Sequence, residues 1–66
     1  MSHKVLRLPD VIQQTGLSRS SIYLRIANQE FPQPISLGGR SVGWLQHEID
    51  EWLLEKIETS RIKNHG

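Results

Sequence analysis

Apolar residues recur at helical spacing near the start of the chain, in two short blocks separated by a glycine. Leu8, Val11 and Ile12 share one side of a predicted helix that runs from Pro9 to about Thr15. Proline suits the first turn of a helix, where its missing N–H is not needed. Gly16 is expected to end this helix, because glycine readily takes the left-handed conformation after a helix C-terminus.

The second apolar block predicts a helix from Arg19 to about Gln29. Ser18 precedes it and is a good N-cap, because its hydroxyl can accept a hydrogen bond from a first-turn N–H. At about 100° per residue, Ile22 and Ile26 define the inner face, and the other side chains face outward or flank it. Two short helices across a turn of about three residues are typical of the helix-turn-helix.

The middle of the chain changes from helical spacing to strand-like alternation. The sequence FPQP at residues 31–34 excludes a helix, since each proline favours an extended conformation in the residue before it. Phe31 is expected to pack back on the first two helices. Residues 35–44, with the sequence ISLGGRSVGW, predict a β-hairpin. Before the first helix, residues 5–8 predict a short edge strand or an extended lead-in.

Two registers are compatible with the hairpin. A two-residue turn at Gly38 and Gly39 pairs Leu37 with Arg40 and so places a charge on the apolar face. A four-residue loop over residues 38–41 avoids this and keeps four apolar side chains on one face, so it is the favoured register. It pairs Leu37 with Val42 and Ile35 with Trp44. It also leaves Arg40 at the tip of a protruding loop.

The last third of the chain predicts one longer amphipathic helix, from near Gln46 or His47 to about Ser60. Its inner stripe consists of Ile49, Trp52, Leu53 and the stem of Lys56, with Ile57 at the edge. Three glutamates lie together on the opposite side: Glu51, Glu55 and Glu58.

These elements predict an α+β, mainly helical fold, namely a winged helix-turn-helix with three helices and a small β-hairpin wing. Sixty-six residues allow a single domain over residues 1–66, with an ordered core of about residues 5–60 and frayed ends at 1–4 and 61–66. A chain of this size buries only about 60% of its unfolded surface. Trp44 and Trp52 are therefore expected to supply much of the core.

Composition narrows the class of protein further. There is no cysteine, so neither a disulfide nor a thiolate metal site is available. No apolar run approaches the roughly 18 residues of a membrane span, and the N-terminus lacks the apolar segment of a secretory signal. We therefore expect a cytoplasmic protein that makes no membrane contact.

Charge is divided unevenly along a chain whose net charge is only +1. Residues 1–47 carry five Lys and Arg against two Asp and Glu, a net +3, whereas residues 48–66 carry three against five, a net −2. A basic face with an acidic back is typical of proteins that bind a polyanion. A chance imbalance among so few charges is the alternative.

The second predicted helix has residues suited to the DNA major groove. In a helix-turn-helix, the N-terminal residues of the second helix enter that groove. Arg19 at this position can donate two hydrogen bonds to a guanine or pair with a phosphate. Three serines can donate to phosphates or base edges, and Tyr23 and Arg25 suit backbone contacts. The alternative is an ordinary solvated helix in a small helical domain.

The tip of the hairpin adds a second group of candidate contacts. Its glycines let the backbone approach a phosphate closely, and Arg40 supplies the charge. Leu24 is the apolar exception on the outward side of the second helix, where it can meet a thymine methyl group or pack sideways on the hairpin. The candidate DNA-binding residues are Ser18, Arg19, Ser20, Ser21, Tyr23, Arg25, Arg40 and Ser41.

The spacing of other reactive side chains disfavours catalysis and metal binding. His3, His47 and His65 are scattered, without cysteine or a His-x-x-x-His pair, so no metal is expected. The glycines of the hairpin lack the pattern of a nucleotide-binding loop. The acidic residues of the third helix could be paired catalytic carboxylates, but they are predicted to face solvent with no cleft. We therefore expect that the protein is not an enzyme and binds no cofactor.

Five blocks of the sequence resemble the AlpA family of prophage regulatory proteins. The blocks are LRLPDV at 6–11, TGLSRSSIY at 15–23, FPQP at 31–34, LGGRSVGW at 37–44 and EIDEWL at 48–53. Together they extend over roughly residues 6–57, in an order and spacing that are specific. The resemblance implies a small winged-helix protein related to the MerR-type DNA-binding domain and to phage excisionases. By this similarity, residues 18–25 and Arg40 match the DNA-contacting segment and the wing.

The expected function is therefore that of a single DNA-binding domain. It would bind double-stranded DNA with sequence specificity and regulate transcription of a prophage or mobile-element gene. An excisionase-type factor that bends DNA and acts with an integrase is one alternative, and a protein-interaction module using the acidic third helix is another. Candidate protein partners are integrase and RNA polymerase. A homodimer and side-by-side binding on DNA both stay open.

Overall fold

The computed structural model describes residues 3–63, which form three helices and three short strands. In chain order these are β1 (Val5–Leu6), α1 (Leu8–Thr15), α2 (Arg19–Ala27), β2 (Ile35–Gly38), β3 (Ser41–Leu45) and α3 (Gln46–Lys63). The order and type of the elements confirm the predicted α+β, mainly helical fold with a helix-turn-helix and a hairpin wing.

Helix α1 ends at Thr15 as predicted and begins at Leu8, one residue earlier than predicted. Pro9 lies in its first turn, and the Asp10 carboxylate accepts a hydrogen bond from the Arg7 backbone N–H at 3.4 Å. Acidic side chains at this end also complement the helix dipole. Val11 is fully buried, and Gly16 follows the helix with φ of 74°, the left-handed conformation expected of it.

Helix α2 is two residues shorter than predicted, because Gln29 does not continue it. Gln29 has φ of 59°, and its N–H donates to the Ile26 carbonyl at 3.0 Å. The next N–H, of Glu30, reaches back to the Arg25 carbonyl at 2.7 Å. These two bonds form a Schellman motif, which terminates a helix by satisfying its last carbonyls. Glycine usually occupies the left-handed position, so a helix end at glutamine could not be predicted from the sequence.

The three strands form an antiparallel sheet in the order β1-β3-β2. Strand β1 pairs Val5 with Leu45 and Leu6 with Trp44, which makes it the predicted short edge strand. The wing is the hairpin of β2 and β3, closed by a two-residue turn of Gly39 and Arg40.

Neither of the two predicted registers of the hairpin is correct, and the favoured one is off by one residue. Ile35 pairs with Gly43 rather than with Trp44, and Leu37 bulges out of the ladder between the pairs Ser36–Val42 and Gly38–Ser41. A shift of one residue turns side chains to the other face of a sheet. Ile35 and Leu37 therefore lie on the outer face, whereas Trp44 faces the core.

Gly43 explains why this register is accommodated. A Cβ at Gly43 would lie 2.5 Å from Val5 Cγ1 and 3.2 Å from Leu37 Cδ1, and 3.0 Å from the Leu6 carbonyl oxygen. The absent side chain thus leaves the space that the neighbouring Val5 and Leu37 side chains occupy on the outer face.

The core contains residues from every element except β2. The six buried apolar side chains are Leu6, Val11, Ile22, Phe31, Trp44 and Ile49. The loop between α2 and β2 is fixed on this core by two indole N–H groups. Trp44 Nε1 donates to the Pro32 carbonyl at 3.1 Å, and Trp52 Nε1 donates to the Glu30 carbonyl at 2.9 Å.

Phe31 lies in the same core as the first two helices, and its ring contact is with α3. The ring meets that of Trp52 edge to face, with centroids 4.8 Å apart. Such a geometry adds to the stabilisation that burial alone provides.

Helix α3 packs its first half against the rest of the molecule. Ile49 is buried, Trp52 and Leu53 are half-buried against the core, and the Lys56 ammonium lies 5.5 Å from the Trp52 ring centroid. Gln46 at its start exchanges amide hydrogen bonds with Gln14 of α1, at 3.2 and 2.8 Å. The inner stripe is therefore as predicted.

Both predicted frayed ends need correction where the structure describes them. Helix α3 continues past Ser60 to Lys63, because nothing in the sequence of this segment breaks a helix. At the other end, the Lys4 carbonyl accepts a hydrogen bond from the Gln46 N–H at 2.9 Å. The prediction for residues 1, 2 and 64–66 lies outside the described residues.

Candidate nucleic-acid interface

The turn before α2 is fixed by hydrogen bonds of its own. The Gly16 N–H donates to the Ile12 carbonyl at 2.8 Å. The Thr15 hydroxyl donates to the Val11 carbonyl at 2.7 Å and accepts from the Leu17 N–H at 3.3 Å. The Leu17 side chain is half-buried against the core. Together these contacts set the direction in which α2 leaves α1.

Helix α2 starts from a side-chain cap and is anchored one turn later. Ser18 has an extended backbone, and its Oγ accepts from the Ser21 N–H at 3.2 Å. The Ser18 carbonyl accepts the first helical bond, from the Ile22 N–H at 3.0 Å. The Ile22 side chain is fully buried. The helix is therefore held from beneath, and Arg19 is its first residue.

The outward side of α2 is left uncovered over its whole length. Arg19 lies at the edge of this side, with its guanidinium carbon 5.8 Å from the centroid of the Tyr23 ring one turn later. Cation and ring attract each other at this distance. The exposed residues on this side are Arg19, Ser20, Tyr23, Leu24 and Ala27.

Leu24 stands out on this side because it is apolar and 63% exposed. The sequence left two roles open for Leu24, a contact with a thymine methyl group or packing on the hairpin. This exposure disfavours packing on the hairpin. The sequence-based set of contacts omitted Leu24, although its outward position was visible from the helical periodicity. Its exposure makes it a further candidate for contact with a ligand.

Two residues of the predicted set lie on the other edge of α2. Ser21 is half-buried, and its backbone N–H is already bonded to Ser18. Arg25 is also half-buried, and its Nε is shielded from solvent without a hydrogen-bond partner among residues 3–63. A shielded donor of this kind usually needs a partner.

The wing presents its charge at the very end of the hairpin. Gly38 and Gly39 have φ of 103° and 56°, conformations that glycine adopts without strain. Arg40 is the exposed second residue of the turn, as predicted, and Ser41 is the half-buried first residue of β3.

The predicted residues thus form two separate groups rather than one cluster. One group is on α2, where the Ser18 cap and the Arg19–Tyr23 contact join four of its members. The other group is Arg40 and Ser41 on the wing. Both groups offer donors to an anion, and two such points on different elements suit an extended polyanion such as a nucleic-acid backbone.

Other kinds of site find little support in the described part of the chain. His3 and His47 are exposed, and residues 3–63 contain no group of three or more His, Cys, Asp or Glu side chains arranged to hold a metal ion. His65 lies outside the described residues. Within those same bounds, no helix has the length and apolar character needed to cross a membrane.

A helix-turn-helix followed by a β-hairpin defines the winged helix-turn-helix class, and comparison with known proteins specifies the family. The family profile described as Prophage CP4-57 regulatory protein (AlpA) matches residues 4–57. The chain belongs to this AlpA family. The family is regulatory rather than enzymatic, in agreement with the expectation from the sequence.

Two relatives illustrate the similarity. The chain is 46% identical over 54 residues to protein ORF88 of Enterobacteria phage P4, a match that covers 82% of this chain and 61% of the phage protein. It is 44% identical over 61 residues to the DNA-binding transcriptional activator AlpA of Escherichia coli (strain K12), covering 83% of this chain and 87% of that protein. The chain thus spans about three fifths of the length of the phage relative. No solved structure matches the chain significantly.

Proposed function

We propose that this chain binds double-stranded DNA with sequence specificity and regulates transcription of a prophage or other mobile element. Helix α2 lies in the major groove, and the wing contacts the flanking backbone. The family and the relative named as a DNA-binding transcriptional activator support this function. The proposed function implies that the protein is located in the cytoplasm, where bacterial DNA is found.

The observation that carries the proposal is the uncovered side of α2 above a fully buried anchor. Ile22 packs the helix against the core. The side chains on the opposite side do not contribute to the core and can contact a ligand. Arg19 at the first position of the helix is where a helix-turn-helix protein reads bases. Its contact with Tyr23 restricts the guanidinium before DNA is bound, which lowers the entropy lost on binding.

The remaining contacts divide by their chemistry. Serine hydroxyls at the start of α2 and Arg40 with Ser41 on the wing donate to phosphates. Arg25 extends the remaining guanidinium nitrogens toward the backbone. Leu24 adds an apolar contact to a thymine methyl group, which would favour A·T pairs at one position of the operator.

Selection of bound sites from a random DNA pool tests whether binding is specific. The selected site then serves for titrations at several salt concentrations. With about three to five phosphates neutralised, log K should fall with log salt at a slope near −3 to −4.5. No binding, or binding without salt dependence, would contradict the proposal.

Two arginine variants separate the roles of α2 and the wing. Arg19→Ala should weaken binding and relax the sequence preference, whereas Arg40→Ala should weaken all sequences about equally. Lys56→Ala is the matched control, because it removes the same charge from α3 and should leave DNA affinity unchanged. Equal effects of all three variants would indicate nonspecific attraction alone.

The same preparations distinguish the other regulatory functions. A DNA-bending assay and an excision assay with an integrase would identify an architectural factor, and a transcription assay with RNA polymerase would identify an activator or repressor. If reversal of Glu51 and Glu55 abolished binding of a protein partner while Arg19→Ala changed nothing, the chain would be a protein-interaction module instead.

A further inference from the structure

Helix α3 carries an exposed stripe that the rest of the molecule does not cover. Leu54 and Ile57 are 57% and 45% exposed, and Asp50 and Arg61 lie exposed one turn before and one turn after them. The four positions are spaced by four, three and four residues, so they follow one side of the helix. At about 100° per residue the stripe lies to one side of the buried Ile49, with Ile57 nearest to it.

The order of charges along this stripe suits a second copy of the same helix running in the opposite direction. An acidic residue ends the stripe on one side and a basic residue ends it on the other, with two apolar residues between them. An antiparallel copy places Asp50 opposite Arg61 of the second copy, and Leu54 opposite its Ile57. A parallel copy would instead bring like charges together at both ends, which is unfavourable.

We propose that two copies of this chain associate through an antiparallel pair of α3 helices. Each copy contributes two apolar side chains and one partner to each of two ion pairs, in a self-complementary contact with two-fold symmetry. Such a contact is small compared with the roughly 1,200 Å² that a stable interface buries, so the association is weak in free solution. Glu51 and Glu58 flank the stripe. Glu51 of one copy lies near Glu58 of the other, and this repulsion weakens the association further.

Adjacent binding on DNA would make this weak contact effective. Two copies on neighbouring half-sites have a high effective concentration, so a small contact produces cooperative binding. This step rests on the proposed function, whereas the pairing itself does not. The pairing is therefore tested without DNA.

Charge exchange between the two ends of the stripe is the decisive test, measured by sedimentation equilibrium at high protein concentration. Asp50→Arg and Arg61→Asp each create like charges at both ends and should weaken self-association about ten-fold. An equimolar mixture of the two variants restores opposite charges and should associate as the wild type does. Wild-type association of either variant alone, or no recovery in the mixture, would overturn the proposal.

Two control variants isolate the stripe from general effects. Glu55→Arg changes the net charge by the same amount as Asp50→Arg, but on another side of α3, and should leave association unchanged. Asp50 accepts a hydrogen bond from Gln46 Nε2 at 2.9 Å, so Asp50→Ala, which removes this acceptor, checks by its unfolding curve that the contact is dispensable for folding. Loss of association in Glu55→Arg to the same degree would assign the contact to another surface.

Disulfide trapping determines the direction of the pair, because the chain has no cysteine of its own. Leu54→Cys mixed with Ile57→Cys should give a mixed disulfide under oxidation, and neither variant alone should cross-link as well. Preferred cross-links within each variant would mean a parallel pair and overturn the proposal. Arg19→Ala should weaken DNA binding but keep wild-type sedimentation, which separates failure of the pairing from failure of the proposed function.

Discussion

Helix α2 and the wing are held in place by different parts of the chain. A fully buried isoleucine fixes α2 from beneath, whereas every residue of strand β2 is exposed. Strand β2 and the turn of the wing depend instead on the backbone: a ladder to β3, two glycines with positive φ and a third glycine, on β3, where neighbouring side chains come too close for a Cβ. The difference indicates that α2 should be sensitive to loss of apolar volume and the wing to gain of any side chain.

The largest effect is expected at the anchor of α2. Ile22→Ala should lower the free energy of unfolding by about 2–5 kcal/mol, since it removes a fully buried side chain and leaves a cavity. Urea denaturation followed by circular dichroism measures the change. Ile62→Ala is the control, because that side chain is 75% exposed, and its cost should stay below about 0.5 kcal/mol. Similar costs at both positions would contradict the role of Ile22 as an anchor.

The wing should respond most strongly to a single added methyl group. Gly43→Ala should cost about 1–3 kcal/mol, because the new Cβ meets the Val5 side chain and the Leu6 carbonyl. In the double variant with Val5→Ala, part of this loss should be recovered, as expected for residues in direct contact. Thermal unfolding of the four proteins gives the coupling, and strictly additive losses would mean that the clash is not with Val5.

A smaller loss is expected at the start of α2, where a side chain replaces the missing helical partner. Ser18→Ala should cost about 1 kcal/mol, since the hydroxyl that accepts from the Ser21 N–H is removed. Ser20→Ala is a matched control two residues later, on the exposed side of α2, and should leave stability nearly unchanged. Stability measured by denaturant titration without DNA keeps the capping effect apart from any effect on binding.

The smallest effect, and the only increase in stability, is expected at the end of α2, where a residue has a positive φ like the glycines of the wing. Gln29 has φ of 59°, a conformation that costs about 1 kcal/mol with a side chain and little with glycine. Gln29→Gly should therefore raise the free energy of unfolding by up to about 0.5 kcal/mol, after allowance for the more flexible unfolded chain. Asn28→Gly, at an ordinary φ of −90°, should lower it instead.

Local signals were enough to predict the helix-turn-helix. The roles of Gly16, Ser18 and Ile22 can each be predicted from residues within four positions, and all three have these roles in the structure. The register of the hairpin was wrong because both registers considered continue a regular ladder to the turn, whereas the structure has a bulge at Leu37 and a turn of Gly39 and Arg40. Only the position of Val5, on a strand far away in sequence, shows why Gly43 and not Trp44 pairs with Ile35.

The candidate site likewise has features that local sequence predicts and features that depend on distant parts of the chain. Helical periodicity predicts Tyr23 and Leu24 on the outward side and Arg19 at its flank, and all three side chains are exposed. The shielding of Arg25 Nε depends on how α2 sits on the rest of the molecule, which no local pattern reveals. Whether any of these residues touches DNA stays a prediction for the titrations above.

The two indole hydrogen bonds to the loop between α2 and the wing have a consequence for hydrogen exchange. The Trp44 indole is fully buried and bonds the Pro32 carbonyl, whereas the Trp52 indole is half-buried and bonds the Glu30 carbonyl. Exchange of a buried N–H requires large-scale opening, but a more accessible one exchanges when a segment opens locally. The two indole signals should therefore differ in rate, and together they measure how often the connection between α2 and the wing detaches while the rest of the domain stays folded.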